Sequence, residues 1–201
     1  MEKFGAYKIL QEMRLVVEYY HGVIKLEDII GLRNRIKEEE NFKAYSNTIL
    51  DFRDCILDIE HDELPEMIAY LKSNSIINMD RKVAFLASTP NEVVLSMLYQ
   101  QLLIESGIVY ATKIFSTCKA ATGFFDFERF GEDELIDIIQ NLKSLHRTAN
   151  ANSYAKFDNK NIASPDSQLV LMEHRIFNIA SPDFQSGLME HRIFNPKDRN
   201  L

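Results

Sequence analysis

Five consecutive apolar residues, Val83-Ala84-Phe85-Leu86-Ala87, are bounded by Ser88-Thr89-Pro90. A run of strand length without polar alternation has no face to give to water, so it predicts a strand in the middle of a sheet that is covered on both sides. The cover is announced at once. Thr89-Pro90-Asn91-Glu92 supplies a capping hydroxyl, a proline at the first helical position and a glutamate at the third, a complete capping box. The helix behind it is predicted to bury Val94, Met97, Leu98 and Leu102.

The same alternation extends in both directions. Tyr7 to Leu10 and Leu15 to Tyr20, separated by Gln11-Glu12, read as a hairpin that His21-Gly22 stops. Leu26, Ile29, Leu32 and Ile36 fall at spacings of three and four, with Glu27 and Asp28 in the first turn, and predict a helix ending near Glu39. Thr48-Ile49-Leu50 predicts a short buried strand ending at Asp51. Leu64, Met67, Ile68 and Leu71, with Pro65 in the first turn, predict the second helix. Val109 to Phe115 reads as a last strand and Thr117 to Phe125 as a short helix. Strands alternating with helices require crossover connections. The expected fold is α/β: a mixed, mostly parallel sheet of about five strands opened by a hairpin, with about four helices, over residues 1–130.

Beyond Gly131, Leu135, Ile138, Ile139 and Leu142 predict an additional helix over 131–146, with Glu132, Asp133 and Glu134 in its first turn. It is read either as packed on the domain edge or as a homodimer or partner helix. Over 147–201 the periodicity is lost and a disordered tail is expected. Within it Asn161 to Asp166 recurs as Asn178 to Asp183, and Met172 to Asn178 recurs as Met189 to Asn195, both at an offset of 17 residues. Two copies fall short of the three or so that a stacked solenoid needs. The duplication is either an unstructured extension or a linear docking motif shown twice.

Composition narrows the function. Hydrophobic residues make up 46% of the chain, enough for a substantial core. No apolar run approaches the roughly 20 residues that cross a bilayer, and Met1-Glu2-Lys3-Phe4-Gly5 leads into no signal-peptide core, so stable membrane insertion is not expected and a cytoplasmic location is. Cys55 and Cys118 form no Cys-x-x-Cys pair and are expected as buried thiols. The net charge is -7, and no basic cluster offsets it locally, which argues against nucleic acid as a partner.

The densest polar cluster is Asp51-Phe52-Arg53-Asp54, followed by Asp58, Glu60, His61, Asp62 and Glu63. It sits at the carboxyl end of a predicted strand, where open α/β sheets gather ligands. Asp51, Arg53, Asp54, Asp58 and Glu60 are therefore candidates for a partner-binding edge; the structural alternative has Asp51 and Asp54 capping turns and Asp62 or Glu63 capping the second helix. A phosphoacceptor arrangement of Asp51, Thr89 and Lys113 lacks the acid pair that would hold magnesium. Ser88 and Thr89, at the start of the third helix, are candidates for an anion or ligand site. No Gly-rich phosphate loop, nucleophile elbow or His-Glu-x-x-His pattern occurs, and His21, His61, His146, His174 and His191 are scattered, so neither an enzyme nor a cofactor or metal site is predicted.

The element order, together with Asn47 to Asp54, Arg81 to Asn91 and Thr112 to Thr117, resembles the STAS-like proteins, and more closely the SpoIIAA-like branch described as STAS/SEC14 domain proteins. The resemblance covers roughly Tyr7 to Phe125 and implies a non-catalytic module that binds a protein partner. In anti-sigma factor antagonists of this superfamily a serine at the start of the second helix is phosphorylated. The matching stretch here is Leu57-Asp58-Ile59-Glu60-His61, in which Asp58 fits while Ile59 and Glu60 stand where the serines would be. Relatives on the lipid-binding side imply the alternative, a small lipid or acyl ligand between sheet and helices.

Overall fold

The computed structural model describes residues 3–43, 46–74, 80–108, 110–128 and 130–158. In chain order the elements are β1 (Phe4–Leu10), β2 (Leu15–Ile24), α1 (Leu26–Glu38), β3 (Asn47–Leu57), α2 (Leu64–Ser73), β4 (Lys82–Leu86), α3 (Pro90–Glu105), β5 (Ala111–Phe115), α4 (Cys118–Gly123) and α5 (Glu132–Asp158). The strands lie in sequence order, β1 antiparallel to β2 and the remainder parallel. The protein is thus α/β with a mixed five-stranded sheet opened by a hairpin. The apolar run at Val83 forms β4, interior but off-centre; the middle strand is β3.

Alternation along β2 assigns the two layers. Val16 and Tyr20 point into a core with α1, α2 and α3, where Leu32, Leu71 and Leu103 are fully covered. Leu15, Val17 and Tyr19 point the other way, into a core with α4 and α5 that contains Ala121, Leu135, Ile139 and Leu142. At about 25 cal/mol per Å² of apolar surface, each such leucine contributes roughly 1.5–3 kcal/mol. α5 is therefore one wall of the domain: its apolar stripe is spent on its own sheet. It also continues past His146, where a polar tail was expected, to Asp158. The 17-residue duplication lies outside the described residues.

Three further expectations change. β2 does not stop at His21-Gly22 but runs on to Ile24, because Gly22 takes φ 90°, a conformation open to glycine at little cost. β3 does not end at Asp51 but continues to Leu57. Tyr19 pairs with Asp51 and His21 with Asp54, so β3 carries one extra residue there, a bulge. α3 is rotated relative to its predicted face. It buries Leu95, Tyr99 and Leu103, and leaves Val94 52%, Met97 58%, Leu98 40% and Ile104 69% exposed. Leucines and valines occur all round this helix, so no stripe in the sequence selects the inward side.

The loop from α4 to α5 is closed by phenylalanines. Phe115 meets Phe124, Phe124 meets Phe125, Phe125 stacks on Phe127 and Phe127 meets Phe130, with ring centroids 5.2–5.8 Å apart. Lys82 ties this loop to β4 through the Phe124 carbonyl at 2.9 Å and Asp126 at 2.7 Å.

Candidate functional site

The bulge in β3 determines what the polar residues of that strand can do. Without it, Arg53 and Asp54 would face opposite layers; with it, both reach the α4–α5 side. Asp51, buried in mid-strand, receives two hydrogen bonds from Arg53, Nε at 2.8 Å and Nη2 at 2.7 Å. Arg53 Nη2 also lies 3.5 Å from the Cys118 thiol. Asp54 accepts from Tyr19 Oη at 3.0 Å and pairs with Lys143 of α5 at 2.6 Å. The Lys143 ammonium lies over the Tyr19 ring. Asp51 also accepts the Arg53 backbone N–H at 3.2 Å, the two-residue step of an Asx turn, whereas no turn-capping bond is found for Asp54 among the described residues; both are strand residues neutralised by cations on the same face.

Arg53, Asp54, Cys118 and Lys143 line a cleft of about 470 Å³ between β3, the β5–α4 junction and α5, with Ser116, Thr117, Glu132 and Gln140 as its other polar walls. Hydrogen bonding to Asp51 holds the Arg53 guanidinium fully charged, against the effect of burial. Burial pushes the Asp54 carboxyl up, but hydrogen bonds from Lys143 and Tyr19 and the charge of Lys143 outweigh it and set it below its ordinary range. Tyr19 is pushed up, first by burial and then by the Asp54 charge. Arg53 and Lys143 are thus each paired with an aspartate, and among the described residues no base is hydrogen-bonded to Cys118 or Ser116.

Asp58 and Glu60 do not join this cleft. They lie beyond the end of β3 in the exposed loop leading to α2, and the five residues expected on one edge are divided between two places. Glu63 precedes α2 without capping it through its side chain; its carboxylate instead accepts the Glu60 N–H at 2.7 Å. Among the described residues none of Asp58, Glu60, Asp62, Glu63 or Glu66 is in an ion pair, and all five are exposed. Asn91, in the first turn of α3, donates to the Leu57 carbonyl at 3.2 Å, so this acidic loop leaves β3 beside the start of the exposed apolar face of α3.

Compared with models of protein families, with curated proteins and with solved structures, the chain shows no match.

Ser88 and Thr89 carry an anion of the chain's own. The buried Glu92 carboxylate accepts from Ser88 N at 2.6 Å and Thr89 N at 3.0 Å, while Thr89 Oγ1 accepts from Glu92 N at 3.4 Å. An external anion at this helix start has to displace Glu92. Between the sheet and α1–α3 there is an apolar cavity of about 50 Å³. Sites for drug-sized ligands run to roughly 300–1,000 Å³, so a long acyl chain does not fit without rearrangement. Among the described residues no three His, Cys, Asp or Glu side chains are placed to hold a metal ion, and no helix is long and apolar enough to cross a membrane. Cys55 and Cys118 are free and buried. Sequence reasoning missed Lys143 and Tyr19 because their role depends on the α5–β3 contact. The Asp-x-Arg spacing in a strand, which puts both side chains on one face, was the available signal for the Asp51–Arg53 pair.

Proposed function

We propose that this protein is a non-catalytic interaction module, similar to STAS-like anti-sigma factor antagonist domains without their phosphorylatable serine. It binds a protein partner through the loop from Asp58 to Glu66 and the adjoining face of α3. The observation that carries this reading is the meeting of two unsatisfied surfaces. Five unpaired carboxylates stand beside a helix face on which Val94, Met97, Leu98 and Ile104 are all open to solvent. Exposed carboxylates without counter-ions repel one another, and a basic surface relieves that. A contiguous apolar face rimmed by charge marks an association surface more often than a scatter of single residues does. The partner is therefore a protein segment with an apolar ridge and a basic flank.

The test is a pull-down from the protein's own cells comparing wild type with Asp58→Lys/Glu60→Lys and with Met97→Glu, each checked by circular dichroism. Both variants are expected to fold and to lose the partner, because exposed substitutions change stability by only about 0.5 kcal/mol. Retention of every partner by both folded variants overturns the reading.

A further inference from the structure

In the layer between the sheet and α1–α3 two buried guanidinium groups lie near one carboxylate, Glu18, while the other buried acids there, Glu92 and Asp28, are engaged by the Ser88 and Thr89 N–H groups and by Lys3. Arg33, on the inner side of α1, has a side chain only 8% exposed. Its nearest acid is Glu18 of β2, with Nε 3.8 Å from Oε2, too far for a hydrogen bond, and Tyr20 Oη already donates to that oxygen at 2.7 Å. Arg81, just before β4, is 5% exposed. Its Nη2 donates to Thr48 Oγ1 at 2.7 Å and its guanidinium lies 5.5 Å from the Tyr110 ring centroid. Tyr110 and Tyr99 share a hydrogen bond of 2.8 Å between their hydroxyls. Arg33 Nε, Arg81 Nε and Arg81 Nη1 are buried with no hydrogen-bond partner.

Buried polar atoms are paired in most folded proteins, and buried charges almost always are. Among Arg33, Arg81 and Glu18 the charge count is two positive to one negative, and three guanidinium nitrogens remain without an acceptor. The two cations act on one another: burial, then the charge of Arg33, lowers the pKa of Arg81. Arg33 also lines the 50 Å³ cavity, whose wall is mostly apolar, with Leu26, Ile29, Leu57 and Met67, and carries Ser96 and Tyr99 as its other polar residues. A single water needs about 10–15 Å³ measured this way, so the space accommodates a group of a few heavy atoms.

We propose that this cavity is a binding site for a small monocarboxylic acid, its carboxylate received by Arg33 beside Arg81 and its apolar body held against the α1 and α2 side chains. A single negative charge balances the single excess positive one. The planar fork of a guanidinium matches a carboxylate through paired hydrogen bonds, and the cavity volume limits the body to a very short aliphatic chain. The cavity lies behind the acidic stretch, sharing Ile59 and Leu64 with it, but none of the exposed carboxylates or of Val94, Met97, Leu98 and Ile104 lines it, so carboxylate binding and partner binding are tested by different residues.

The test is isothermal titration calorimetry and thermal unfolding of the full chain with sodium acetate and sodium propionate, against propanamide and inorganic phosphate at equal ionic strength. At a hundredfold excess over Kd a bound carboxylate raises the midpoint by roughly 5 °C or more. Acetate or propionate binding at one site per chain, at least tenfold more tightly than propanamide, supports the proposal. Equal binding of the amide, a response to phosphate alone, or no heat and no shift with either carboxylate overturns it. Arg33→Met should abolish the carboxylate response while keeping the fold, since a buried charge replaced by an apolar side chain of similar length is often tolerated. Persistence of the response in folded Arg33→Met also overturns it; if that variant does not fold, the comparison of propionate with propanamide on the wild type still decides.

Discussion

Tyr19 and Lys143 both donate to Asp54, and the depressed carboxyl that results gives the acid limb of stability a definite sign. A group whose folded pKa lies below its unfolded value stabilises fully above the unfolded value. That stabilisation is lost as pH falls from about 4 through the lower folded value. Wild type should therefore lose stability over this window, and Asp54→Asn should lose less of it, which urea unfolding midpoints between pH 2 and 6 will show. Asp54 is partly exposed, so solvent screens the effect and the difference stays modest. The cluster containing Asp54 was visible in the sequence; its partition was not. Asp51 and Arg53 are two apart and share a face by strand geometry alone. Asp54 joins them only through a bulge that pairing with β2 creates, and no property of Phe52-Arg53-Asp54 itself signals an extra residue. Arg33 and Arg81 were invisible for a related reason: arginines on a helix and before a strand read as exposed until the tertiary fold closes over them.

At the scale of elements, α3 separates what periodicity can and cannot tell. Its existence and its start were legible, because Thr89, Pro90 and Glu92 specify a helix start through local hydrogen bonds and a fixed φ. Its orientation was not, because apolar side chains occupy both sides and packing chooses between them. Leu103→Ala, on the covered side, should cost about 2–5 kcal/mol. Met97→Ala, on the open side, should leave stability within about 0.5 kcal/mol, and chemical denaturation of the pair will separate the two faces. α5 obeys the opposite logic. Its stripe of Leu135, Ile139 and Leu142 was read correctly as apolar, and the structure shows those residues completing a core. Truncation after Gly131 should abolish cooperative unfolding, whereas truncation after His146 keeps all three leucine and isoleucine contacts and should leave the thermal midpoint within a few degrees.

For the whole molecule, the order of elements along the chain was legible because the strands stack in sequence order and each helix crosses to the next strand. That simplicity ends with α5, which turns back across the sheet to cover β1 and β2. Phe4, Leu15, Val17 and Tyr19 thus make their final contacts with residues some 120 positions later. A ribosome adding about 5–20 residues per second leaves that apolar surface uncovered for on the order of ten seconds after β2 emerges. The growing chain presents a sticky β-sheet face for the whole of that interval, so its survival during synthesis depends on shielding by trigger-type holdases or on the ribosome surface. A stalled chain ending near Gly131 should be captured by such a chaperone, while one stalled with α5 fully outside the exit tunnel should be released.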